Sequence, residues 1–212
     1  MIKLYDYYRS SASYRVRIAL NLKQLAYDQR PVSLLDNEQN SASYTAINPN
    51  GLVPGFSDDA DSTGVLGQSI AIIEYLDECY PEPPLLPQNA FDKARCREIS
   101  LAIACDIHPL NNLRVLNYLN TEFGVNQNEK MVWYHHWLQR GFQAIESLIS
   151  RQNTTFCCGN SPTMADICLV PQLYNAKRFG FDTSRYQHLL EIEQRCLELP
   201  AFVKAHPDNQ MP

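Results

Sequence analysis

Ser10 and Ser11 follow Arg9 in the run Arg9-Ser10-Ser11-Ala12-Ser13, and that run opens a segment with helical apolar spacing. The first N–H groups of a helix have no partner inside it, and the dipole is positive at that end. Such a position favours an anion. A serine hydroxyl placed there can also donate to a thiolate and lower a thiol pKa below its usual value of about 8.5. On local pattern alone, two serines in this place read as helix caps. Gln68-Ser69 repeats the arrangement before the apolar run Ile70-Ala71-Ile72-Ile73. His108, followed by Pro109, is a candidate general acid or a structural residue at a helix interruption. His135-His136 has no cysteine or carboxylate at ligand spacing, so no metal is expected.

These residues need elements to hold them. Ile2 to Tyr5 reads as a short strand. Val16, Ala19, Leu20 and Lys23 then fall at helical spacing, with Arg15 and Arg17 off that apolar stripe. Tyr27 to Val32 reads as a second strand. A strand–helix–strand unit favours parallel pairing with a right-handed crossover. Asn48-Pro49-Asn50-Gly51 is a turn. Leu52 to Phe56 starts a third strand with Pro54 at its entrance, where proline is tolerated. Residues 58–64 read as a polar turn, Val65-Leu66 as a brief fourth strand, and Ile70 to Leu76 as a helix with Ser69 near its cap.

Tyr80 to Pro87 holds four of the thirteen prolines, which excludes helix interior and marks a linker. Beyond it, residues 91–119, 129–150, 163–179 and 186–197 look helical, with Pro109 and Pro171 expected to kink or interrupt two of them. Thr163-Met164-Ala165-Asp166 fits a capping box. The expected fold is α/β plus all-α. A βαβ-ββα domain covers 1–80, a proline-rich linker 81–89, and an all-helical domain 90–212.

The 212 residues carry 18 basic and 23 acidic side chains, for a net charge of −5. That balance argues against a nucleic-acid or membrane-surface binder. No apolar run approaches the roughly 18 residues that span a membrane. The N-terminus reads as a strand that starts at once, without a signal peptide, and a cytoplasmic location is expected. Seven cysteines at irregular spacing, including the adjacent pair Cys157-Cys158, read as reduced thiols.

Five strings make a resemblance specific. Ser10-Ser11-Ala12-Ser13-Tyr14-Arg15-Val16-Arg17-Ile18-Ala19-Leu20 resembles the signature of zeta-class glutathione transferases, departing from it only at Ala12, where the family has cysteine. Asn48-Pro49 with Val53-Pro54 resembles the family's cis-proline loop. Gln68 to Leu76, Ile107 to Leu113 and Thr163 to Gln172 are similar to further family strings. The resemblance implies a thioredoxin-like domain followed by a helical domain, a homodimer, and glutathione as the cofactor. It implies that Ser10 activates the glutathione thiol and that Ser11 contacts it. Gln39, Val53, Pro54, Gln68, Ser69, His108 and Asn112 become glutathione contacts, with the Val53 backbone pairing to the cysteinyl unit. Arg9, Arg114 and Arg178 become grips for substrate carboxylates, since arginine's planar fork suits that group.

The activity so implied is cis–trans isomerisation of a maleyl-containing dicarboxylate, maleylacetoacetate, in aromatic amino-acid breakdown. A thiolate adds to the cis double bond, the resulting single bond rotates, and the thiol leaves. Maleylpyruvate is the alternative substrate. Glutathione conjugation or dehalogenation of small α-halo acids is a second enzymatic alternative, and a glutathione-binding protein without turnover is a third.

Overall fold

The computed structural model describes residues 1–59, 64–152 and 154–210. The chain divides into two compact units. One comprises residues 1–85 together with the segment from Leu197 onward, and the other comprises Leu86–Cys196. The all-helical domain expected over 90–212 therefore ends sooner than its helical pattern suggests. The reason is that the last helix packs on the first one, as described below.

In the first unit, β1 (Ile2–Asp6) lies between β2 (Tyr27–Pro31) and β3 (Gly55–Asp58). β1 pairs parallel to β2, with Ile2 opposite Tyr27, as the strand–helix–strand reading requires. It pairs antiparallel to β3, with Tyr5 opposite Gly55. Val65-Leu66 does not form a fourth strand. Leu66 makes a single bridge to Phe56, through N–H to carbonyl bonds of 2.9 and 2.7 Å. Gln68, at φ 67°, turns the chain out of extended geometry two residues later. The polar turn read at 58–64 lies partly outside the described residues.

α1 (Ser11–Leu22) crosses between β1 and β2 and packs against α3 (Ser69–Cys79) and α9 (Pro200–Ala205). Its apolar residues Tyr14, Val16, Ile18, Ala19 and Leu20 are fully buried. Arg15 and Arg17 are buried as well, 1% and 0% exposed, although both lie off the apolar stripe. Both faces of α1 are covered, so its polar residues need internal partners. Arg17 finds them in Asp6, whose two carboxylate oxygens take Nη1 at 2.8 and 2.7 Å. The Tyr8 carbonyl accepts Nη2 at 2.9 Å, and the Ala205 carbonyl accepts Nε at 3.0 Å. Gln29 of β2 donates to the same aspartate at 2.6 Å.

Two short helices escape the periodicity reading. α2 (Ala42–Ile47) is six residues with Ser41 as its N-cap, and α9 is six residues beginning at Pro200. Six residues are too few to display a helical period. Lys23, at the end of α1, holds Asp77 at 2.7 Å, the Tyr80 carbonyl at 2.5 Å and the Pro83 carbonyl at 2.7 Å. The start of the proline-rich segment is thereby tied to the first unit.

The second unit contains α4 (Ala90–Leu101), α5 (Leu113–Phe123), α6 (Gln127–Ile149), α7 (Met164–Arg178) and α8 (Gln187–Leu197, except its last residue). Pro109 interrupts the first expected helix as anticipated. The approach to it is a π-helical stretch, Ala102–Ile107. Pro171 does not interrupt α7, which continues from Met164 to Arg178 around it. Ten other residues of α7 are buried along with it, and tertiary packing outweighs the one lost backbone bond. Glu146 of α6 caps α8, accepting from the N–H groups of His188 and Leu189 at 3.1 Å each.

Gly141 of α6 sits against the π-helical stretch. A Cβ added there would stand 2.2 Å from Ile107 Cδ1 and 2.3 Å from its Cγ1. Gly141→Ala is therefore expected to destabilise the fold by about 1–3 kcal/mol, the usual cost of overpacking. Urea unfolding of Gly141→Ala, alone and with Ile107→Ala, checks this. The second change should recover part of the loss made by the first.

Candidate active site

In the first unit three loops meet at one end of the sheet. β1 runs out through Tyr7, Tyr8 and Arg9 into Ser10, and β3, antiparallel to it, begins just after Pro54. α3 starts at Ser69, whose hydroxyl receives Arg15 Nη1 of α1 at 3.2 Å. Arg17 fixes the first of these loops through the Tyr8 carbonyl. α2 fixes the second: Tyr44 Oη and Asn48 Nδ2 both donate to the Leu52 carbonyl, at 2.8 and 2.7 Å. The Val53–Pro54 peptide is cis.

Ser10 is the N-cap of α1, and its Oγ accepts from the Ser13 N–H at 3.2 Å. The hydroxyl is half-buried, and its proton has no acceptor among the described residues. Ser11 is buried at the first position of the helix. The Val53 N–H and carbonyl enter no hydrogen bond among the described residues, so an extended peptide edge stays open beside the proline. At α3 the first intrahelical bond is Ile72 N–H to the Gln68 carbonyl, and the N–H groups of the preceding turn have no partner among the described residues, with the buried Arg15 guanidinium behind them. The Gln68 side chain does not cap its helix. Gln39 borders the second loop, its carbonyl 3.2 Å from where a Cβ on Gly51 would stand. Its amide nitrogen bonds Asn37 Oδ1 at 3.0 Å, and its oxygen is enclosed without a partner.

This set fits glutathione. A proton donor at a helix N-terminus suits a thiolate, an unpaired peptide edge suits the tripeptide backbone, and a second helix N-terminus suits a carboxylate. Arg9 is exposed, rests over the Tyr8 ring at 4.9 Å, and has no carboxylate partner among the described residues.

In the second unit, consecutive residues of α6 organise the rest. The Tyr134 carbonyl accepts from Asn111 Nδ2 at 3.1 Å, and its hydroxyl accepts from Asn175 Nδ2 at 2.8 Å. Trp133 Nε1 donates to the Leu110 carbonyl at 2.8 Å, and His135 Nε2 lies 3.0 Å from the Phe179 carbonyl. The 108–112 segment and the end of α7 are thus pinned to one turn of α6. Arg178, at that end, is exposed and stacks on Phe179 at 4.9 Å. Burial raises the Tyr134 phenol above its ordinary range, with Arg178 opposing the shift. Arg114 is exposed. The Asn112 oxygen caps α5, accepting from the Arg114 N–H at 3.1 Å. His108 is half-buried where the π-helical stretch ends. Tyr134, Asn175, Arg15 and α2 all escaped the sequence reading. Asn111 lay inside a family-like string but carried no sign of its role.

Residues 4–84 match the family model for the glutathione S-transferase N-terminal domain. The chain is 48% identical to a probable maleylacetoacetate isomerase of Vibrio cholerae, across 98% of this chain and 96% of that one. It aligns with the holo structure of maleylpyruvate isomerase, described as a bacterial zeta-class glutathione S-transferase, at TM-score 0.94 and 41% identity, covering 98% of each chain. It also aligns with maleylacetoacetate isomerase from Anaeromyxobacter dehalogenans, solved with dicarboxyethyl glutathione and citrate in the active site. That match has TM-score 0.87 and 38% identity, over 99% of this chain and 92% of the other. The chain belongs to the zeta-class glutathione transferases, the family of the maleylacetoacetate and maleylpyruvate isomerases.

Two predictions follow from local geometry. Gln68 holds φ 67° and ψ 110°, which costs a side-chain-bearing residue roughly 1 kcal/mol or more. Gln68→Gly should stabilise the fold by about that amount in urea unfolding, and a loss of stability would show that the side chain holds structure instead. Asp166 supplies the second. It is fully buried and accepts from the N–H groups of Cys157 and Thr163, each at 2.8 Å. Burial pushes its carboxyl up, and those N–H groups offset part of the rise. The native chain therefore keeps this proton to higher pH than the unfolded chain. The group's contribution to stability is greatest below the unfolded pKa of about 3.9 and declines as pH rises through the raised native value. Asp166→Asn should remove that decline from the pH profile of urea midpoints. It should also cost about 1–2 kcal/mol near pH 7, because an amide cannot accept from both donors.

Proposed function

We propose that this chain is a glutathione-dependent isomerase that converts maleylacetoacetate to fumarylacetoacetate in tyrosine and phenylalanine breakdown, and that it works as a cytoplasmic homodimer. The observation that carries the reading is the Ser10 hydroxyl, uncommitted as a donor, at the N-terminus of α1 beside the open Val53 peptide edge. The bound molecules of the Anaeromyxobacter relative, a glutathione bearing a dicarboxyethyl group and a citrate, support a site for a thiol adduct of a dicarboxylate. Among the described residues no helix is long and apolar enough to cross a membrane, which is compatible with the location proposed.

Glutathione, when bound, supplies the thiolate that adds to the cis double bond and leaves after rotation. Ser10 donates to that sulfur and keeps it ionised, helped by the N-terminus of α1. Ser11 lies at the same terminus. Val53 and Pro54 hold the peptide part, while Gln68 and the first turn of α3 hold a carboxylate through Ser69. Gln39 is assigned to the glycyl end, and His108 and Asn112 are assigned as further contacts. Arg9, Arg114 and Arg178 neutralise substrate carboxylates, and the arginine nearest the carbonyl also stabilises the negative charge that develops on it.

Maleylpyruvate shares the reacting bond and differs only in its tail, and the similarity to maleylpyruvate isomerase keeps it as the second reading. Turnover of each substrate, with and without glutathione, separates the two, the first coupled to a fumarylacetoacetate hydrolase. Isomerisation that requires glutathione and leaves its concentration unchanged is expected. Stoichiometric loss of glutathione would replace the reading with conjugation. Ser10→Ala should lower turnover by about 100-fold, the usual effect of removing one stabilising donor. Arg178→Ala should raise KM. A light-scattering mass of one chain would overturn the dimer.

A further inference from the structure

The grip on a carboxylate proposed above for Arg178 needs an ordered guanidinium, yet Arg178 is exposed and has no carboxylate partner among the described residues. Its neighbour Lys177 is committed to Glu193 of α8. An exposed arginine samples many rotamers, and holding one of them against a ligand costs entropy. The end of α7 reduces that freedom. The guanidinium carbon stands over the Phe179 ring, 4.9 Å from its centroid. The same ring packs on that of Tyr134, with 4.6 Å between centroids. Tyr134 is fully buried, and Asn175 holds its hydroxyl. The surface under Arg178 is therefore anchored in the core of the second unit. The backbone is fixed as well. Gly180, at φ 70°, closes α7, with its own N–H on the Lys177 carbonyl and the Phe181 N–H on the Ala176 carbonyl, both at 3.0 Å. The Phe179 carbonyl is left without a helical partner, and His135 Nε2 lies 3.0 Å from it. A carbonyl only accepts, so Nε2 carries the hydrogen. The His135 ring in turn stands edge-on to Phe181, with 5.5 Å between centroids.

We propose that Phe179 and His135 are positioning residues for Arg178, ordering its guanidinium for a substrate carboxylate. The inference rests on the assignment of Arg178 as a carboxylate grip. Stacking covers one face of the guanidinium and leaves its edge, which carries the N–H fork, free for two parallel bonds in its plane. His135 acts one step further back. Without its N–H the Phe179 peptide loses its tie to α6, and the ring that supports Arg178 loses its orientation. The sequence offers the His135-His136 pair no metal-ligating neighbours, and this hydrogen bond gives the first member of the pair a task.

Steady-state kinetics of the full chain at saturating glutathione test this. Phe179→Leu keeps an apolar side chain and loses the flat ring. His135→Phe keeps a ring against Phe181 and loses the donor, and His135→Gln restores an N–H at similar reach. KM for the isomerised substrate should rise about 5-fold in Phe179→Leu and in His135→Phe, the order expected of one stacking contact at an exposed cation. The value of kcat should stay within about 2-fold, since the contact acts on binding rather than on the reacting bond. His135→Gln should recover most of the loss. In an Arg178→Ala background, Phe179→Leu should raise KM no further. Calorimetric titration of maleate into the glutathione-loaded protein should give the same order of affinities, and it does not depend on turnover. Maleate binding in this order without turnover of either substrate would uphold the positioning and remove the isomerase reading. Turnover with a KM indifferent to Phe179→Leu, or a rise in KM of equal size with and without Arg178, would overturn the positioning alone. So would a maleate affinity that Arg178→Ala leaves unchanged. Phe179→Leu decides the matter even where His135→Phe impairs folding.

Discussion

A buried ion pair governs the first unit. Asp6 and Arg17 are both sealed from solvent, and a charge so placed is costly unless its partners are complete. Arg17 meets that demand by reaching β1, the loop after β1 and α9 at once. Asp6 meets it by adding Gln29 of β2. The pair fastens four separate pieces of chain to one point in the core. The loop it fastens is the one that delivers Arg9 and Ser10. Geometry at the candidate thiol site is thus set by an interaction that never touches a ligand.

The same economy recurs around it. Arg15, two residues away, carries α1's hold over to Ser69 and so ties α1 to the N-terminus of α3. α2 does for the Val53–Pro54 loop what Arg17 does for the Ser10 loop. In the second unit, three consecutive residues of α6 perform the equivalent service for the 108–112 segment and the end of α7. In each case a helix interior supplies the fixed point and a loop supplies the chemistry, so the loops are held without being part of a regular element.

The sequence made much of this legible, though unevenly. The β1–α1–β2 unit, the proline break and the long helices were readable because each shows enough residues to reveal its period or its breaker. α2 and α9 were not, since six residues show less than two turns. The burial of Arg15 and Arg17 was not readable, because periodicity sorts residues by polarity and the partners that allow these two to be buried leave no local pattern. Pro171 was misjudged because a buried helix tolerates one missing hydrogen bond when packing holds both sides. Ser10, Ser11, Ser69 and the cis-proline loop were readable through their resemblance to a family signature. The same strings gave no sign that the Asn112 oxygen caps α5. Tyr134 left no trace, since a tyrosine on an apolar helical face looks the same whether or not its two polar ends hold loops.

The return of the chain's last segment to the first unit bears on the order of events at the ribosome. The Ala205 carbonyl that accepts from Arg17, and the helix that covers α1, emerge only after the whole of the 86–196 unit has been made. Until then the nascent thioredoxin-like unit carries a guanidinium whose final acceptor does not yet exist. The helical unit, continuous in sequence, has every residue it needs before translation ends. In this chain the piece synthesised first is therefore the piece completed last.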